Sequence, residues 1–277
     1  MFKILRGSFV VACGLLGVLS AGCGDGPTYP KSSLAESVKT VLAKEGITAQ
    51  VRVLEHTLAV AFPYPHALSQ EGMQINIGPT FDDATRKSIF SLHRVLLSTD
   101  ADIWFYVVIL SDPHTPGAYL TIVRYLDDVR RANANMLDTP EIFARTVFEL
   151  NASGPTALDL DQYLAKDIRL EEFLSWQLAR RIQRHLTEKL QPEGGARVGQ
   201  CAGMFDHGEF SFTLDVSPVA TTPLDEATIQ RVFQMATNEI AKVLGSYRFE
   251  SFDHVRLIHS LTGRNFVLPK ARLALFR

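Results

Sequence analysis

Ser111, Asp112 and His114 fall within one short run, SDPHTPG, at the end of an apolar stretch. A hydroxyl, a carboxylate and an imidazole are the parts of a nucleophile, its base and the group that orients the base. Such a set at a strand end would suit a hydrolase with a dispersed site, with Asp112 and His114 as its catalytic candidates. Asp-Pro and Pro-Gly are also turn chemistry, in which Asp bonds its own backbone and Pro fixes φ. A second run, MFDHGE, places Asp206, His207 and Glu209 where oxygen and nitrogen ligands could meet a divalent cation, or where a plain exposed loop would put them. Asp127 and Asp128 are adjacent on a predicted helix, where neighbours point about 100° apart and do not share a ligand easily. Cys201, in GQCAG, is either a reactive thiol or a buried, inert one.

The chain contains no H-E-x-x-H, no C-x-x-C, no G-x-S-x-G elbow and no G-x-x-x-x-G-K-[ST] loop. The sequence therefore predicts neither a metal centre nor a cofactor. Sites assembled from distant segments leave no local trace, so an enzyme remains an alternative.

The elements that would position these groups are readable from periodicity. Helical spacing predicts helices over residues 32–45, 81–97 and 170–190, and a further one over 225–244. The third carries Glu171 and Glu172 first and Arg180, Arg181, Arg184 and Lys189 last, in agreement with the helix dipole. Strands are predicted over residues 50–54, 57–62, 103–110, 119–123, 210–216, 255–259 and 266–268. Residues 64–79 read as an irregular connection, YLDDVRRAN as the start of a helix, and EIFARTVFEL as either helix or strand. Trp104, Phe105 and Tyr106 on one strand must place rings on both faces of a sheet. One face is core; the other needs cover from a helix, a second module or a partner, so Trp104 and Tyr106 are candidate interaction residues.

The order strand, helix, strand, turn, strand occurs twice. DDATRKSIF, from Asp82, aligns without gaps with DEATIQRVF, from Asp225, 143 residues later. A duplicated supersecondary unit would explain both the match and the order; convergence on a good helix start is the alternative. The predicted fold class is α+β, as two tandem modules of antiparallel sheet covered on one face by amphipathic helices. The helix over 170–190 either bridges the modules or opens the second.

The amino terminus has a basic start (Lys3, Arg6), an apolar run from Phe9 to Leu19 and the small residues Ser20, Ala21 and Gly22 before Cys23. This is the layout of a secretory signal peptide, too short to span a bilayer. The run LSAGC resembles the lipobox of bacterial lipoproteins, and the body of the chain resembles uncharacterised members of that group. The resemblance implies cleavage before Cys23 and acylation of its thiol. Gly24, rather than Asp, after the cysteine favours the outer membrane, on its periplasmic side. Loss of Lys3 and Arg6 would take 28 basic residues to 26 against 30 acidic, a net charge of −4. That balance excludes a basic footprint for nucleic acid.

The expected organisation is a signal peptide over 1–22, a lipidated tether over 23–31, a first module over 32–150 and a second over 151–277. The sequence favours a non-catalytic cell-envelope lipoprotein that binds another envelope component or helps an assembly form. The alternatives are a lipid-anchored hydrolase and a small-ligand-binding lipoprotein with its pocket between the modules.

Overall fold

A computed structural model describes residues 28–72, 74–152, 159–219 and 223–276. Cys23 and the predicted signal segment lie outside the described residues. The fold is α+β.

The first half begins with α1 (Leu34–Lys44), whose stripe Leu34, Val38, Val41 and Leu42 is buried. Then come β1 (Gln50–Val53) and β2 (Thr57–Pro63), an antiparallel pair. The stretch expected to be irregular contains a small hairpin, β3 (Leu68–Glu71) and β4 (Gln74–Ile77). Only Leu68 in it is buried, so it carries no apolar alternation to announce it. Helix α2 (Phe81–Leu96) returns the chain so that β5 (Phe105–Ser111) runs parallel to β2. Strand β6 (Tyr119–Tyr125) follows across a tight turn and runs straight into α3 (Leu126–Asn133). The ambiguous EIFARTVFEL is helix, then strand: α4 (Thr139–Arg145), capped by Asp138, and β7 (Val147–Asn151).

The sheet order is β1-β2-β5-β6-β7. One face, with Leu58, Val60, Tyr106 and Val108, packs on α1 and α2. The other carries Ala59, Ala61, Phe105, Val107 and Ile109 and is also buried. Its cover is α5 (Leu160–Tyr163), the segment to Ile168, and Phe173. Both faces of this sheet are therefore closed, where cover on one face was expected. The 159–173 stretch, assigned by sequence to the second module, contributes to the core of the first. Three anchors hold it there: His56 N donates to Asp167 Oδ1 at 3.0 Å, Ile168 N to Thr57 Oγ1 at 3.0 Å, and Arg52 pairs with Asp161.

Phe173 belongs to α6 (Leu170–Leu190), which both bridges the halves and opens the second. After it come β8 (Ala196–Val198), β9 (Ala202–Asp206), β10 (Glu209–Leu214), β11 (Val216–Pro218), α7 (Glu226–Tyr247), β12 (His254–His259), β13 (Asn265–Pro269) and α8 (Lys270–Leu273). The second sheet has the order β13-β12-β10-β9, with β10 and β12 parallel across α7; β8 and β11 form a separate pair. Alternation is clean here. Phe210, Phe212, Leu214, Val255 and Leu257 face α6 and α7, while Glu209, Ser211, Thr213, His254 and Arg256 are partly exposed.

The two halves thus share one connectivity: a helix, an antiparallel pair, a helical crossover to a parallel strand, and a final antiparallel strand. The ungapped alignment of Asp82 with Asp225 is not the structural one. It matches Phe90, which is 66% exposed, to Phe233, which is buried. Moving the second helix two residues further superposes six buried positions, Ala84, Ser88, Ser91, Leu92, Val95 and Leu96 on Ile229, Phe233, Ala236, Thr237, Ile240 and Ala241.

Candidate functional site

A buried polar constellation joins the two halves. In α3, Leu126 and Val129 share one face, and Asp128, about 100° round the helix from Val129, is buried as well. At the end of α4, Arg145 is buried as well and donates from Nη1 to Asp128 Oδ1 at 2.8 Å. Its Nε donates to Glu141 Oε1 at 2.8 Å and its Nη2 to Ser246 Oγ of α7 at 3.0 Å. The Tyr247 hydroxyl donates to the second oxygen of Asp128, and the Arg145 guanidinium lies 4.5 Å from the centre of the Tyr247 ring. From α6, Gln177 Nε2 donates to the Arg145 carbonyl at 2.8 Å and reaches the Tyr247 hydroxyl at 2.9 Å. Arg181 extends the network, from Nε to Glu239 Oε1 at 2.7 Å and from Nη1 to Glu141 Oε1 at 3.3 Å.

Chemically this is a clamp rather than a proton-transfer site. Burial pushes the Tyr247 hydroxyl far above its ordinary pKa, with Asp128 adding to the effect, so it stays a donor at any accessible pH. The arginine is permanently charged. A buried charge needs a paired and hydrogen-bonded partner, and here two elements of one half, α3 and α4, and two of the other, α6 and α7, must dock before the set is complete.

Beside the clamp lies a cavity of about 210 Å³ between the first sheet and α6. Val107, Val123, Leu164, Ile168 and Trp176 make it mostly apolar. Its polar groups are Glu149 and the Thr121 Oγ1 to Tyr163 hydroxyl contact of 2.6 Å. The space is below the roughly 300 Å³ at which ordinary ligand pockets begin.

The groups singled out in the sequence lie apart from this junction. Asp112 is buried, with Oδ2 accepting from Leu68 N at 3.0 Å and Oδ1 from His114 N at 2.8 Å. It ties the turn after β5 to the start of β3. His114 is exposed and stacks on His66, with ring centres 4.5 Å apart. No hydrogen bond joins it to the Asp112 carboxylate through its ring among the described residues. Asp206 ends β9 and His207 and Gly208 form the β9–β10 turn, with φ of 44° and 79°, and the side chains of Asp206 and His207 are exposed. Glu209 leaves them for the sheet face, where it accepts from Arg256 at 2.8 and 3.0 Å and pairs with His254. No group of three candidate metal ligands occurs among the described residues.

Cys201 is buried, and burial pushes its thiol up to about 11. Tyr106 is covered by α2, and its hydroxyl lies 2.7 Å from His93 Nε2. Phe105 is covered by Phe173, so both rings at the start of this strand find their cover within the chain, and Trp104, expected on the strand, lies in the connection before it. Trp104 is 43% exposed, stacks on His56 at 4.3 Å and donates to Asp102 at 2.9 Å.

Sequence reading passed over two surfaces. Between α4 and α6 a groove of about 270 Å³ is lined by Phe143, Phe148, Arg180 and Arg184, with the two rings stacked at 6.3 Å. Between α1 and α2 another, of about 300 Å³, is lined by Val41, Glu45, Arg86, Lys87, Phe90 and Arg94. In each, an exposed aromatic ring lies next to arginine. Helical spacing puts Phe90 and Leu97 on the buried face of α2 with Ala84, Ile89, Val95 and Leu96, and the structure corrects this: both are exposed, because the buried face runs through the small residues Ala84, Ser88 and Ser91 instead. No protein family matches the chain, and no curated protein matches it.

Proposed function

We propose that the protein is a lipid-anchored component of the bacterial cell envelope, held through Cys23 to the periplasmic side of the outer membrane, which works by binding rather than by catalysis. The observation that carries the binding role is how the side chains are deployed. Asp112 is bonded to backbone amides and Glu209 to Arg256, and Cys201 is buried, while Phe143 stands 55% exposed in a groove with Arg180 and Arg184. Aromatic and arginine side chains together are what protein recognition surfaces are enriched in. The Phe143 groove, with Arg180 and Arg184, suits an acidic, partly apolar segment of an envelope protein partner. The anchor itself is supported by LSAGC and the short run to Tyr29.

The test is in-cell crosslinking with mass spectrometry of the natural chain against Cys23→Ser, with the mass of the mature terminus read from the same material. Acylation at Cys23 and a defined partner lost in Phe143→Ala support the proposal; an unmodified terminus overturns the anchor. If the chain is acylated and nothing specific crosslinks, the small-ligand reading moves ahead, since the junction cavity is the one feature that favours it.

A further inference from the structure

We infer that the outer face of α2 lies on the bilayer, with Phe90 at the interface and Arg86 and Arg94 against anionic headgroups. The inference rests on acylation at Cys23 and adds to it the side of the molecule that meets the membrane.

The tether fixes the neighbourhood. From Cys23 to Tyr29 is six residues, which reach at most about 20 Å when fully extended. Tyr29 is held against the carboxy-terminal end of α2: it bridges Thr99, and its N–H donates to Ser98 O at 3.3 Å. Lys31 N donates to Asp100 in the same loop. Helix α2, at 16 residues, is about 24 Å long. The acyl group therefore cannot be placed in a bilayer without bringing the end of α2 close to its surface.

The face presented there is suited to that position. Arg86, Phe90, Arg94 and Leu97 recur at helical spacing and are all exposed, Phe90 at 66% and Leu97 at 37%. An aromatic ring between long basic side chains is the pattern of helices that lie in the headgroup plane. Acidic groups face the same patch. Asp83 pairs with Arg86 and Lys87, at 2.9 and 2.8 Å, and Glu45 lines the groove. Arg94 has no ion-pair partner among the described residues, and it is the arginine nearer the tether. A patch this small would not hold a free protein. On a short tether its effective concentration at the surface reaches the millimolar range, so a weak preference is enough to set orientation.

The experiment uses the full chain, purified from membranes and returned to vesicles of phosphatidylethanolamine and phosphatidylglycerol. Phe90→Cys carries an environment-sensitive fluorophore; Leu261→Cys, in the exposed β12–β13 turn of the second half, is the reference. The buried Cys201 does not compete for label. Expected are quenching of the residue-90 probe by spin-labelled lipid at least threefold above the reference, and a fall of at least twofold on adding Arg86→Glu and Arg94→Glu. Terminal mass on the same sample separates the two ideas. An acylated protein whose residue-90 probe is no more quenched than the reference overturns the orientation and leaves the anchor standing; an unacylated terminus overturns both. A blue-shifted probe that lipid quenchers do not reach would mean that a protein covers this face, and also overturns the proposal.

Discussion

Replacing Arg145 by Met removes one member of the inter-module clamp while keeping most of the stem that packs against Tyr247. Asp128, 5% exposed at its side chain, is left with the Tyr247 hydroxyl as its remaining donor in the clamp. Breaking a buried ion pair from one side costs about 3–5 kcal/mol, because a charge stays buried without its partner. With a urea m-value of about 3 kcal/mol/M, this is a midpoint lower by roughly 1–2 M. The loss should depend on pH. Burial already holds the Asp128 carboxyl above its ordinary pKa, and losing the arginine removes a group that opposes that rise, so the folded-state value lies further above the unfolded one. The folded state then holds the proton longer than the unfolded one, so the penalty is small below about pH 4 and grows as pH rises through the folded pKa. Asp128→Leu combined with Arg145→Met removes both charges and should recover most of the loss, because apolar replacement of a whole buried pair is often neutral or better. Urea unfolding followed by tryptophan fluorescence reads all three proteins. A midpoint shift under about 0.3 M for Arg145→Met, equivalent to about 1 kcal/mol, would refute the reasoning by showing that Asp128 reaches water.

Three further outcomes are expected. Burial, with Arg124 adding to it, holds His93 down to about 4 from its ordinary 6.5, so between those values the unfolded chain binds the extra proton; about 3 kcal/mol of stability, complete above pH 6.5, should drain away as pH falls to 4, and His93→Gln should flatten that part of the stability profile. Gly203→Ala would set a methyl 2.3 Å from the Ser175 carbonyl and 2.9 Å from the Phe212 ring, prising β9 from α6 at a cost of about 1–3 kcal/mol in thermal or urea unfolding. The thiol of Cys201, buried and raised to about 11, should resist maleimide at pH 7 in the native protein and react on addition of denaturant; rapid native labelling would contradict its burial.

The elements with strong periodicity were legible. Leu170–Leu190 is a helix over the predicted residues, and the strand expected over 103–110 begins two residues later, where Ile103 and Trp104 still belong to the connection. Strands β8 and β9 were not, because ARV is only three residues long and AGMFD turns Met204 outward and Gly203 inward, against the usual apolar alternation. The clamp was invisible for a different reason. Its members come from four elements, with Asp128 and Tyr247 119 residues apart, and each looks ordinary in its own segment. A local clue did exist for one member, since Gln177 falls at helical spacing with Leu174 and Arg181 on the buried stripe of α6. A polar side chain at such a position must be paired.

The repeated connectivity explains why the clamp exists at all. Each half places a helix and a crossover helix on one face of its sheet, which leaves the other face to be settled by sequence. In the second half that face carries the Glu209, His254 and Arg256 pairs and is stable in water. In the first it carries Ala59, Phe105, Val107 and Ile109, which water cannot accommodate. The first half must therefore dock something there, and Phe173, with the α5 segment and Tyr247, does so. Apolar cover alone is non-directional; it would bury these residues in several orientations. The Asp128, Arg145 and Tyr247 geometry admits one, and so fixes how the two halves sit with respect to each other.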